Sequence, residues 1–121
     1  MPLRIRTGIF TFRNMSKGIF HPDRDQIDLS AVLEALSEPT RRQMVLDLVE
    51  QGECTCGGVG RYGSKPSTTY HLTKLREAGV TRSRIEGPFR YISLREEDME
   101  ARFPGLLATI VAAARKEREE A

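Results

Sequence analysis

Cys54, Thr55 and Cys56 place two thiols two residues apart. Thiolates bind soft metals and As(III), and thiols close together at a helix start have lowered pKa values. On a regular helix an i, i+2 pair diverges, so it converges on one ion only in a non-helical turn. The chain holds two cysteines in all, so no third thiolate is at hand. The competing reading is two small, partly buried hydrophobes. Just beyond, Gly58-Val59-Gly60-Arg61-Tyr62-Gly63 spells G-x-G-x-x-G. That pattern cradles a pyrophosphate only between a strand and a helix, with an acid about 20 residues on. Here a helix is expected before it, and Ser64-Lys65 inverts the P-loop order, so it reads as a chance match. His71 has no nucleophile or carboxylate to work with, and no chemistry is assigned to His21. No acid–base constellation exists, so the chain is not expected to be an enzyme or to carry a cofactor.

A different chemistry belongs to residues 64–80, SKPSTTYHLTKLREAGV. Ser64 is placed to cap a helix, Pro66 is tolerated in its first turn, and Gly79 supplies the stop. Thr68, Leu72 and Leu75 share one face, with His71 and Ala78 beside them. The opposite face carries Pro66, Thr69, Tyr70, Thr73, Lys74 and Glu77. Small hydroxyls and cations near an unpaired helix start suit entry into a DNA major groove. An ordinary amphipathic surface helix is the bland alternative.

The net charge is only +2, but its distribution is uneven. Residues 61–95 hold eight basic side chains against two acids, Glu77 and Glu86. The acids gather at residues 96–100 and at the C-terminus. A basic segment in a near-neutral chain points to a local anionic partner. The longest apolar run, residues 106–114, is too short to span a membrane. Two cysteines and no signal-like N-terminus make a reducing cytoplasm the expected home.

The remaining elements frame that helix. Residues 1–14 contain no acid and could be a short strand, a basic arm or nothing structural. Asp28 is expected to cap a first helix whose Leu29, Val32, Leu33 and Leu36 follow helical spacing. Ser37-Glu38-Pro39 separates it from a second helix that buries Met44, Val45, Leu48 and Val49. Arg41, Arg42 and Asp47 are expected outside, and a cationic first turn hints at an external anion, unless Glu38 offsets it. Residues 53–63 read as a frayed helix or an irregular turn, since each glycine costs about 1 kcal/mol relative to alanine. Residues 80–85 and 89–94 read as strands around a Glu86-Gly87-Pro88 tip, with Arg82, Arg84 and Arg90 projecting. A terminal helix over about 97–117 should break at Phe103, before Pro104.

This order is that of a winged helix-turn-helix. The segments SEPTRRQMVLDLVEQGE, STTYHLTKLREAGV and RIEGPFRYISL resemble the ArsR-type winged-helix transcriptional regulators over roughly residues 28–94. The resemblance implies a mainly α fold with a small β-hairpin, dimeric, binding double-stranded DNA at a pseudo-palindromic operator and usually repressing transcription. It places Lys65, Ser67, Thr68, Thr69, Tyr70 and Thr73 on the DNA-reading helix, behind the cap residue Ser64. It also makes Arg82, Arg84 and Arg90 wing contacts, and Arg84 and Arg90 should add affinity that depends little on sequence. Cys54 and Cys56 line up with the Cys-x-Cys pair of arsenic and soft-metal sensors in the family. That makes a metalloid-, metal- or thiol-responsive repressor the alternative function, although no histidine stands in the terminal helix for an interfacial zinc site. The sequence departs from the family at Tyr70, where a basic residue is common, and in the glycine-rich third helix.

The expected division is a loosely ordered extension over 1–27, a winged helix-turn-helix over 28–95 and a dimerisation helix over 96–121. Phe103, Leu106, Leu107, Ile110, Val111 and Ala114 form an apolar stripe expected to meet a partner's copy in a homodimer.

Overall fold

A helix begins cleanly where a side chain accepts the amides that its first turn leaves unpaired. The computed structural model describes residues 19–55 and 62–121. Asp28 Oδ2 accepts from the Ala31 amide at 3.1 Å and opens α1 (Leu29–Ala35). Glu38 Oε1 accepts from the Thr40 amide at 2.7 Å, and Pro39 starts α2 (Pro39–Gln51). Ser64 Oγ accepts from the Ser67 amide at 3.2 Å and opens α3 (Lys65–Ala78). The Asp28 and Ser64 caps are those expected from the sequence. α3 ends at Gly79, φ +91, where the Gly79 and Val80 amides donate back to the carbonyls of Arg76 and Leu75 at 3.0 and 2.9 Å. That closure needs the left-handed backbone glycine adopts readily.

The chain then forms β2 (Thr81–Glu86) and β3 (Phe89–Leu94), paired from Thr81 with Leu94 to Glu86 with Phe89. Gly87, φ +59, begins the two-residue hairpin turn. A strand not foreseen, β1 (Cys54–Thr55), pairs antiparallel with the far side of β3, Cys54 opposite Ile92. The sheet order is β1-β3-β2. Residues 53–63 therefore begin as sheet edge; Cys56 and the glycines up to 60 lie outside the described residues. The terminal helix is split as expected, into α4 (Glu96–Arg102) and α5 (Leu106–Glu120), at Phe103 before Pro104. No described helix is long and apolar enough to cross a membrane.

The core joins Val32 of α1 and Leu36 just past its end, Met44, Val45 and Leu46 of α2, Leu75 of α3, Ile92 of β3 and Met99 of α4. Several expectations about it change. Leu29 and Leu33 are each 46 % exposed, because α1 turns Val32 and Ala35 inward instead. Arg41 and Asp47 are buried rather than outside. Arg41 Nε donates to the Ala35 carbonyl at 2.6 Å, while Asp47 accepts from Tyr62 and from Arg118 Nη2, the latter at 2.9 Å. Arg42 forms a two-pronged pair with Glu117 at 2.7 and 3.1 Å and caps the Leu36 carbonyl. The cations of the first turn of α2 thus find partners within the chain, which removes the hint of an external anion.

Two of the expected dimer residues also belong to the chain's own core. Val111 and Ala114 are buried where α5 lies on α2, and Gln43 Nε2 donates to the Ala114 carbonyl at 2.9 Å. Phe103, Leu106, Leu107 and Ile110 are only partly buried against that core. Residues 19–27, assigned to a loose extension, are instead docked: Ile19 and Ile27 are buried at either end. The rest of that extension, residues 1–18, lies outside the described residues.

Candidate nucleic-acid interface

A side chain of α2 ties α3 to the end of α1. Arg41 spans from the C-terminal end of α1 to His71 Nδ1, 3.1 Å from its Nη1. Arginine can only donate, so Nδ1 is the acceptor of this bond. His71 is thus a packing and orienting group, in keeping with its position beside Leu72 and Leu75.

Outward from that anchor, Ser64, Lys65, Pro66, Thr69, Tyr70 and Lys74 are exposed, with Ser67 and Thr73 half-buried at the rim. Tyr70 is 56 % exposed; its ring meets His71 edge-on at 5.5 Å, and Lys74 Nζ lies 5.6 Å from its centre. A ring steadied on two sides loses little freedom on binding. No acid appears on α3 before Glu77.

Thr68 departs from the expected set. It is 3 % exposed, and its hydroxyl has no partner among the described residues. Its place on the Leu72 and Leu75 face turns it into the core, away from the open face of α3. Thr68→Val should leave DNA affinity within about twofold and stability equal or higher by about 1 kcal/mol, since an unpaired buried hydroxyl is removed. Binding titrations and thermal melts check both.

The three hairpin arginines stand in different settings. Arg84 donates to Glu53 at 2.9 and 3.0 Å and to Glu86 at 2.6 Å, and its guanidinium lies 4.5 Å from the Tyr91 ring centre. Those partners raise its pKa above the usual arginine value, and Arg84 in turn holds the Glu53 carboxyl below its usual range. Arg82 reaches Asp98 only loosely, at 3.7 Å. Arg90 is exposed, has no carboxylate partner among the described residues and stands near the like charge of Arg76. Of the three, Arg90 is the cation most open to an external anion.

Cys54 is buried in β1, and its Sγ donates to the Gly52 carbonyl at 3.2 Å. Burial first, and then the Asp47 charge, push this thiol up from its ordinary value. The expected lowering fails because Cys54 sits on a strand and has no helix start to stabilise a thiolate. Cys56 lies outside the described residues, among which no cluster of three or more His, Cys, Asp or Glu could hold a metal.

Sequence reasoning did not single out Glu53 as the Arg84 partner, nor the docking of residues 19–27. Both depend on contacts between distant parts of the chain.

No family model matches the chain. It is 37 % identical over 89 residues to the uncharacterised HTH-type transcriptional regulator YceK of Bacillus subtilis (strain 168), covering 71 % of this chain and 88 % of that protein. It is 40 % identical over 68 residues to the transcriptional repressor SdpR of the same strain, covering 54 % of this chain and 74 % of that one. The solved structure of an ArsR family transcriptional regulator matches with a TM-score of 0.51 at 26 % identity, over 76 % of this chain and 87 % of its own.

Proposed function

The chain belongs to the ArsR-type family of winged helix-turn-helix transcriptional regulators, and on that footing we propose that it represses transcription as a homodimer on a pseudo-palindromic operator. Each copy would lay α3 in a major groove, two successive grooves being about one helical turn apart. The observation that carries this reading is the open face of α3, where Lys65, Thr69, Tyr70 and Lys74 stand in solvent with no acid before Glu77. Thr69, Tyr70 and Thr73 would select bases, and Lys65 and Arg90 would hold phosphates. Such a regulator would act in the cytoplasm and needs no catalytic group, and both His71 and Cys54 are already engaged in packing.

The proposed dimer contact is shifted from the stripe first expected. Arg102 Nη2 donates to the Ile27 carbonyl at 2.7 Å, which brings the end of α4 to the start of α1. Among the described residues, exposed Leu29 and Leu33 and the half-buried Phe103, Leu106, Leu107 and Ile110 would then offer apolar surface to a second copy. The alternative, a repressor switched through Cys54 and Cys56, gains no support from a buried thiol pushed toward its protonated form.

Salt dependence of duplex binding tests the reading. Affinity should fall steeply with salt, and Arg90→Ala should reduce the slope of log affinity against log salt by about one. Arg84→Ala should change that slope far less, because two carboxylates already balance its charge. Salt-independent binding, or none at low ionic strength, would contradict the function. Equal slope losses would instead move Arg84 onto a phosphate in the complex.

A further inference from the structure

Three consecutive residues ahead of α1 are each held by a different element. Arg76 Nη1 of α3 donates to the Phe20 carbonyl at 2.5 Å. The Ser83 amide of β2 donates to His21 Nε2 at 3.0 Å. Arg95 Nη1, at the junction of β3 and α4, donates to the Pro22 carbonyl at 2.7 Å. Ile19 and Ile27 are buried on either side of this run.

From this we infer that residues 20–22 form a strap that fixes the hairpin wing relative to the reading helix, with His21 as its latch and a positioning residue for DNA binding. The inference rests on the DNA reading above. Arg76 belongs to the reading helix and Ser83 to the wing, so one short segment spans the two elements that must meet the duplex together. β2 is the open edge of the sheet. The Ser83 amide there would otherwise look outward unpaired, and the imidazole supplies its acceptor. A wing already held at its working angle spares DNA binding the cost of ordering it.

The latch works only with a neutral ring. A nitrogen that accepts from an amide carries no proton, so the His21 proton sits on Nδ1. Protonating Nε2 would set two donors against each other. Among the described residues, the charges acting on the ring are Arg76 from α3, Arg82 from β2 and Arg95 from the β3–α4 junction, while Asp23, next to the strap, lines the same cleft. Asp98 is occupied by Arg24 and Arg95. Burial, then the three arginines, lower the His21 pKa to about 4. A cleft of about 540 Å³ is lined by the strap and by Ser83 and Ile85 of β2.

The sign follows from linkage. The closed strap binds fewer protons than the open one, so closure contributes fully above about pH 6.5 and loses ground as pH falls toward 4. Between pH 7.5 and 5.0 the balance therefore shifts toward opening.

The test uses the full chain, with His21→Ala and His21→Gln, on a duplex selected for binding. Glutamine keeps an acceptor near the place of Nε2 but does not titrate. His21→Ala should weaken binding about tenfold at pH 7.5 and speed hydrogen exchange at the Ser83 amide, while His21→Gln restores most of both. On acidification to pH 5.0 the unmodified chain should lose more affinity than His21→Gln. Matching pH profiles for those two proteins overturn the latch, as does Ser83 exchange indifferent to His21. If His21→Ala fails to fold, the glutamine comparison decides alone. If the unmodified chain binds no duplex, the regulatory reading fails, and Ser83 exchange still judges the strap.

Discussion

Replacing Tyr70 and Thr73 together by alanine should lower affinity for a selected operator by about a hundredfold while leaving a scrambled duplex bound as before. Each base contact is worth about 1–3 kcal/mol of discrimination, and phosphate contacts supply the part common to all sequences. Tyr70 is exposed and Thr73 half-buried at the rim, so neither truncation opens the core. Stability should therefore stay within about 0.5 kcal/mol, as for surface substitutions generally. Anisotropy titrations on the two duplexes separate the cases. Equal loss on both would assign these side chains to the backbone of DNA rather than to its bases.

The largest effect on stability is expected at Gly79. Its φ is +91, and a Cβ added there would lie 2.6 Å from Ile27 Cγ1 and 2.9 Å from Ile27 Cδ1. Ile27 is 1 % exposed, so it has nowhere to withdraw. Gly79→Ala therefore combines a left-handed backbone penalty of about 1–2 kcal/mol with overpacking of about 1–3 kcal/mol. Against a typical total of about 5–15 kcal/mol that is a severe loss, and Tm should drop by about 10 °C or more. Gly87→Ala is the control: φ is +59, but nothing lies within 4 Å of the added carbon. It should pay only the backbone penalty. Equal shifts in the two melts would rule out Ile27 as the cause.

Local chemistry was legible from the chain because it acts over a few residues. Asp28 and Ser64 cap, Gly79 stops α3, Gly87 turns the hairpin, and Phe103 yields ahead of Pro104. The same holds for the outward face of α3, whose polar residues follow from one helical period. Positions that could satisfy either of two surfaces were not legible. Thr68 shares a face with Leu72 but resembles a DNA-contacting residue in type, and only packing decides for the core. Leu29 and Leu33 fit the α1 pattern as well as Val32 and Ala35 do, while Val111 and Ala114 fit a partner as well as they fit α2.

Pairings across the fold were out of reach for another reason. Counting charges on residues 61–95 finds Arg84 and Arg90 alike, yet Arg84 is engaged by Glu53 from 31 residues away and Arg90 by no carboxylate among the described residues. His21 and Ser83 lie 62 residues apart, so nothing in the local sequence connects them. β1 is hidden similarly, being two residues long and made a strand by the free side of β3.

Enriching bound duplexes from a random pool with the purified full chain puts the central claim to its most direct trial. Two α3 helices presented by a two-fold dimer should recover inverted half-sites whose centres lie about 10 base pairs apart. A pool that yields no enrichment, or a bound sequence without a repeated half-site, would contradict the account.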